Sequence, residues 1–317
     1  MKHANLERSN PSKKRQIKIL TSVIASFMLF SIFVYWLPVR KVDPPPFLHK
    51  EADLPLVIAH QGGKHLAPGN TIEAFQNAVD LGVDVIETDI HITKDGHLVT
   101  IHDPTVDATT DGSGYVKDYT LPELQRLDAG FTFQDLDGEY SYRGKNVYIP
   151  TLEEVFQRFP DMRVNIEIKD DNPGNRMDEI VQKLMNLIAE YDMEEKVLIA
   201  SFDQDIIARF ESYSDGKVAT QGGKQEAQKF VHLHKLFLRN LYETKVDAFQ
   251  LPLQEGDIDL TDPNLIKEAH RKGLHIHYWT INDKETMEEL VKKGADGIIT
   301  DRPDILLEVL HKGKGPF

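Results

Sequence analysis

The chain has 317 residues, 40% of them hydrophobic, with 51 Asp and Glu against 37 Lys and Arg for a net charge of −14 at pH 7. That length and apolar content exclude a largely disordered chain and suit one large α/β domain or two small ones. With no cysteine, disulfides, thiolate metal sites and cysteine nucleophiles are excluded as well.

Residues 1–18 carry Lys2, Arg8, Lys13, Lys14, Arg15 and Lys18 against the single acid Glu7, and residues 19–37, ILTSVIASFMLFSIFVYWL, contain no charge. At ~1.5 Å per residue that run matches the ~30 Å hydrocarbon core, so it reads as one transmembrane helix. The basic flank places residues 1–18 in the cytoplasm and the bulk of the chain on the extracytoplasmic side. Tyr35 and Trp36 suit the far interface, and no small-x-small cleavage site follows the run, which favours an uncleaved signal anchor. Residues 1–41 hold eight Lys and Arg and one acid, a balance of +7, so residues 42–317 carry a net charge of −21. A nucleic-acid reader is excluded by that charge, and an anionic substrate requires a local positive site.

Residues 42–55, VDPPPFLHKEADLP, are rich in proline and charge, and the stretch 38–55 reads as a linker to a domain over 56–317. There, eight short apolar runs (57–60, 84–90, 163–169, 197–202, 217–220, 247–251, 274–280 and 297–300) alternate with helical patterns such as Thr71–Leu81, Arg176–Tyr191 and Lys284–Lys293. The arithmetic is that of a (β/α)₈ TIM barrel, with a doubly wound open sheet as the alternative, and the barrel rule directs attention to the C-terminal ends of strands. Residues 105–150, rich in Asp, Gly, Thr and Tyr, read as an insertion.

His60 stands at such a strand end, ahead of Gly62 and Gly63. In VIETDIHITKDGHLVTIHD, Asp95-Gly96 is a preferred two-residue hairpin turn; with that turn, Lys94 pairs with His97 and Asp89 faces His102. Glu87, Asp89 and His91 then share one face by the period of two, and His102 joins it. The same period in VNIEIK places Asn165, Glu167 and Lys169 on one face. Glu87, Asp89 and Glu167 form an all-oxygen set suited to one hard cation, Ca²⁺ or Mg²⁺, and ill suited to zinc. His60 and His102 are candidates for a divided acid and base role; His91, His275 and His277 could line the pocket or support its residues, with structural roles the favoured reading.

These residues lie within an ordered series of motifs: IAHQGG, APGNTIEAF, VIETDIHITKDGHLVTIHDPTVDATTDGSGYVKDYTLPELQRLDAG, IPTLEEVF, NIEIK, IASFD, HYWTIN and ADGIITDRPD. The series, spanning roughly residues 56–305, resembles the glycerophosphodiester phosphodiesterases. The resemblance implies a TIM barrel with an inserted segment and metal-dependent hydrolysis of a small or lipid-derived glycerophosphodiester to glycerol 3-phosphate and an alcohol. It also implies acid and base roles for His60 and His102, metal ligation by Glu87, Asp89 and Glu167, a phosphate contact at Lys169 and a glycerol contact at Trp279.

Two positions depart from the family pattern. Where the family reads His-Arg and Glu-Asn, this chain reads His60-Gln61 and Gly69-Asn70, which removes an arginine from the phosphate and a glutamate from the same loop. The histidine and Asn70 stay, and Lys64, Lys169 and the metal are the replacements at hand for the lost positive charge, with Gln61 in the arginine's place. A shifted substrate is the reading that keeps the full metal set, both histidines, the lysine and the tryptophan; a membrane-anchored phosphodiester-binding module without catalysis is the alternative.

Overall fold

The computed structural model describes residues 11–39, 41–50 and 54–312. They divide into two compact units, one holding residues up to 40 together with Lys229–Glu243, the other holding residues 41–228 and 244 onward. In the first unit α1 (Pro11–Tyr35) is long and apolar enough to cross a membrane, and its described side chains are almost all exposed.

The second unit is the TIM barrel. Its strands are β1 (Leu56–Ala59), β2 (Val85–Ile92), β4 (Arg163–Ile168), β5 (Val197–Ala200), β6 (Ala219–Thr220), β7 (Ala248–Leu251), β10 (His275–Tyr278) and β11 (Gly297–Thr300). Parallel pairing runs β6-β5-β4-β2-β1-β11-β10-β7, and a parallel bridge from Gln221 to Ala248 closes the ring. All eight expected strands are therefore present, and the open-sheet alternative is overturned by the closure. A short antiparallel strand β3 (Leu98–Thr100) hangs on β2, and β8 (Gln254–Glu255) with β9 (Ile258–Asp259) forms a two-stranded hairpin.

Helices form where the sequence supplies both an apolar stripe and ends. In α2 (Ile72–Leu81), Thr71 caps the N-terminus by accepting from the Ala74 amide, Gly82 ends the helix in the left-handed region, and Ala74, Phe75 and Ala78 form the buried face. α4 (Leu152–Arg158) begins on a Thr151/Glu154 capping box. The inserted segment contains a short helix, α3 (Leu121–Leu124), and carries its own core, in which Val106, Val116, Leu124, Val147 and Ile149 pack on Val99 and Ile101 beside β3.

The barrel interior is apolar at its N-terminal end. Leu56, Ile58, Val85, Leu198, Ala219 and Ile299 pack with Phe47 and Leu48, both 1% exposed, which enter from the segment before β1. Arg163 donates to the carbonyls of Phe47 and His49, and Val42 bonds to the end of α8 (Pro263–Lys272) through the Lys272 carbonyl. Part of the stretch expected as linker is thus the floor of the barrel: PFL is apolar enough to fill it, and composition averaged over 38–55 hid that.

Candidate active site

Moving up the inner faces, the apolar side chains give way to charge at the C-terminal strand ends. In the β2–β4 register Glu87 lies beside Asn165 and Asp89 beside Glu167, so side chains two residues apart on each strand meet their neighbours on one face. Oxygens of Glu87, Asp89 and Glu167 lie within 4.8 Å of one another. Glu87 accepts from the Gln61 amide at 2.7 Å, and Asp89 Oδ2 accepts from Asn70 Nδ2 at 3.0 Å. Asp89 Oδ1 is buried with no hydrogen-bond donor among the described residues, its nearest cation being Lys169 Nζ at 3.6 Å.

Three acids with one ammonium group leave negative charge in excess. Burial and the Asp89 charge push the Glu87 carboxyl well above the usual carboxylate range, and the same two causes raise Glu167 to about 7. Lys169 is raised as well, which for it favours the charged form: burial disfavours its charge, but Asp89 and Glu167 more than offset that. A hard divalent cation fits the set, because it would neutralise the excess and give Asp89 Oδ1 a partner.

Two histidines flank the acids. His60, directly after β1, has Nδ1 at 2.6 Å from Asp301 Oδ1, which leaves Nε2 facing Glu87 Oε2 at 4.0 Å. His102 has Nδ1 at 2.7 Å from Asp103 Oδ1 and Nε2 at 3.3 Å from Lys169 Nζ. Each ring therefore has a carboxylate on Nδ1; His60 turns Nε2 to Glu87, and His102 turns Nε2 to Lys169, which itself lies against Asp89 and Glu167.

The route by which His102 arrives differs from the expected one. Ile92 pairs with Leu98 and His91 with Val99, so the loop is Lys94-Asp95-Gly96 and Asp89 stands opposite Ile101, not His102. The cause is a three-residue loop with Gly96 in the left-handed region at φ 92°, fastened by the Thr93 hydroxyl, which accepts from the His97 amide and donates to Asp95. His102 joins the acids only after the chain has left the ladder. His91, expected on the acid face, instead bonds the Ile101 carbonyl and Asp171.

The remaining candidates separate. Asn70, in the left-handed region at φ 59°, braces β2 by accepting from the Thr88 hydroxyl and the Asp89 amide. Gln61 is also left-handed at φ 51°, and its side chain lies over Gly69: a Cβ built there would stand 2.7 Å from Gln61 Oε1. Lys64 is at the rim, 3.9 Å from Asp301 Oδ1. Trp279, just past β10, packs on the inner apolar cluster, meets Phe202 edge-on at 5.5 Å and donates from its indole to the Gln250 carbonyl. His277 lies deeper, fully buried, and neither of its ring nitrogens has a hydrogen-bond partner among the described residues. His275, near the floor, is part-buried.

Asp301 was missed from sequence. Burial opposes its charge, but the His60 bond and the nearby Lys64 hold its carboxyl below the ordinary value, and Asn282 fixes its other oxygen at 2.8 Å. The signal was available: Asp301 is the residue immediately after β11, where the barrel rule places chemistry.

Residues 60–305 match the family described as "Glycerophosphoryl diester phosphodiesterase family". A glycerophosphodiester phosphodiesterase of Caldanaerobacter subterraneus subsp. tengcongensis is 40% identical over 269 residues, covering 81% of this chain and 98% of that protein. A lysophospholipase D of Rattus norvegicus is 27% identical, covering 84% and 90%. Among solved structures, a phosphodiesterase of Oleispira antarctica in complex with the product sn-glycerol-3-phosphate aligns with a TM-score of 0.66 at 22% identity, covering 81% of this chain and 97% of that one.

Proposed function

From the premise that the chain belongs to the glycerophosphoryl diester phosphodiesterase family and is a glycerophosphodiester phosphodiesterase, we propose that it is a metal-dependent, membrane-anchored hydrolase using His60 and His102 as its acid and base. The observation that carries this reading is the clustering of Glu87, Asp89 and Glu167, with His60 Nε2 toward Glu87 and His102 Nε2 joined to the set through Lys169. The three carboxylates would hold Ca²⁺ or Mg²⁺, which supplies Lewis-acid polarisation of a phosphate oxygen when bound.

The protein's own groups divide the proton work. Lys169, donating to His102 Nε2, requires that nitrogen to be unprotonated, which suits His102 to take the proton of the attacking hydroxyl. His60, held through Nδ1 by Asp301 and with Nε2 turned toward Glu87, is placed to give a proton from Nε2 to the departing alkoxide as the phosphorus–oxygen bond breaks. Lys169 contacts the phosphate, Trp279 offers an apolar wall to the glycerol, and Gln61, Lys64 and Asn70 shape the loop beneath.

With α1 crossing the bilayer and residues 1–18 in the cytoplasm, the barrel works outside the cell. Lysophospholipids, deacylated lipids and glycerol phosphate polymers are then the substrates within reach. The test is a phosphodiester panel assayed on the full chain in lipid nanodiscs, with EDTA and with restored Ca²⁺ or Mg²⁺. Metal-restored release of glycerol 3-phosphate supports the enzyme, and metal-dependent binding without turnover supports the binding module instead. A diester with a nitrophenolate leaving group, which needs no protonation, should rescue His60→Ala and not His102→Ala. Equal rescue of both contradicts the assignment of acid and base.

A further inference from the structure

The first unit brings together the end of α1 and the segment Lys229–Glu243, which lies between β6 and β7 in the chain. The contact is polar and specific. Asn240 Nδ2 donates to the carbonyls of Tyr35 at 2.8 Å and Leu37 at 3.0 Å, groups left without intrahelical donors where the helix ends. The Arg239 guanidinium stacks over the Tyr35 ring at 4.4 Å. Beside this junction Leu236, Phe237 and Leu241 are 51%, 73% and 42% exposed, and Trp36 is 79% exposed.

The backbone at the tip adds a second observation. α7 (Lys224–Lys235) ends in a Schellman motif, with the Phe237 amide bonding to the His234 carbonyl and the Leu238 amide to the Leu233 carbonyl. The left-handed position of that motif belongs ordinarily to glycine, yet here Phe237 occupies it at φ 59°. A bulky aromatic is thereby held in a conformation it disfavours, where it is more exposed than Leu236 or Leu241. In the chain, the segment 229–243 carries Lys229, Lys235 and Arg239 against the single acid Glu243, a basic stretch within a region that is strongly acidic.

We propose that Leu236–Leu241 is a bilayer-contacting surface, with Phe237, Leu236 and Leu241 inserted at the level of the lipid headgroups beside Trp36 and the basic side chains directed to anionic lipid phosphates. The proposal rests on the reading of α1 as a membrane span. The occupant follows from that continuity: a side chain adjoining the last turn of a spanning helix lies at the membrane interface, where aromatic and cationic residues are favoured. The loop and the anchor form one lipid-facing surface built from two distant parts of the chain.

Because the chain has no cysteine, single-cysteine labels are unambiguous. Full-length Phe27→Cys and Phe237→Cys variants, each carrying an environment-sensitive fluorophore, are placed in nanodiscs of phosphatidylethanolamine and phosphatidylglycerol bearing spin labels either near the headgroup or at mid-chain. The expected result is quenching of the Phe27 label by mid-chain spins and of the Phe237 label by headgroup-level spins, with a blue shift of the Phe237 emission relative to the urea-unfolded chain. If the Phe27 label is quenched while the Phe237 label stays unquenched, the surface is overturned and the anchor stands. If the Phe27 label is unquenched too, the anchor reading fails and the surface with it.

Discussion

A polar cluster centred on one acid and a cluster of three acids lie at opposite ends of the same barrel, and they are built in opposite ways. At the floor, Asp296 has both oxygens engaged: Lys50 at 2.9 Å on one, His270 at 2.7 Å and the Ile276 amide at 2.9 Å on the other. Although burial pushes it upward, those partners hold its carboxyl far below the ordinary range. At the mouth, Glu87 and Glu167 are raised, and Asp89 keeps an oxygen with no donor. The first cluster spends its charge on the fold. In the second the charge is left over, and an excess of buried carboxylate is relieved either by protonation, toward which Glu87 and Glu167 are pushed, or by a cation that replaces the protons.

The largest effect expected from this contrast is on Glu87. Glu87→Gln keeps an oxygen for the Gln61 amide but removes a charge, so metal-dependent turnover should fall by more than ~100-fold, beyond what outer groups around a metal cost. The metal-free variant should nevertheless melt higher than the metal-free parent, since folding no longer has to hold a carboxyl against burial and the Asp89 charge. A lower melting temperature would break the comparison.

The floor should behave in reverse. Asp296→Ala is expected to cost about 2–3 kcal/mol of stability, below the figure for a fully buried pair because Lys50 and His270 reach solvent, with kcat/KM of the folded protein unchanged. Chemical denaturation read beside steady-state kinetics checks both halves.

A smaller effect is a matter of pH. Burial lowers His275 to about 4 and His277 to about 3, both below the ~6.5 of an unfolded histidine. Between those values the unfolded chain binds more protons, so stability is full above about pH 6.5 and is lost as pH falls, by up to ~1.4 kcal/mol per pH unit per histidine. His277→Leu should flatten that slope by one histidine's share. Parallel stability curves for variant and parent would contradict it.

The smallest effect concerns the loop. Gln61 fills the space that Gly69 leaves, so Gly69→Glu alone drives a side chain into Gln61, while Gln61→Arg with Gly69→Glu restores the family pair. The double variant should gain about 1–2 kcal/mol in transition-state binding of simple glycerophosphodiesters, and the two changes should be non-additive. Additive, neutral behaviour in kcat/KM would show that the departures at 61 and 69 carry no weight.

Much of this was legible in the chain. The period of two in VIETD and VNIEIK sorted Glu87, Asp89 and Glu167 onto inner faces because parallel barrel strands keep register over several residues. His102 was reached for a mistaken geometric reason: Asp95-Gly96 suggests a two-residue turn, and only the Thr93 side chain decides for three. Asp301 escaped because its partner His60 lies 241 residues earlier, a distance over which no periodicity speaks. Phe47 and Leu48 escaped because two apolar residues amid prolines do not announce a floor.

The central claim is that the mouth acids form a cation site, and calorimetric titration of the chelator-treated full chain with Ca²⁺ and with Mg²⁺ at pH 7 tests it most directly. One ion should bind per chain with release of protons, since Glu167 at about 7 and Glu87 above the carboxylate range must give them up, and binding should weaken as pH falls and vanish in Glu167→Ala. Absence of binding by either ion, or binding that Glu167→Ala leaves intact, would contradict the account.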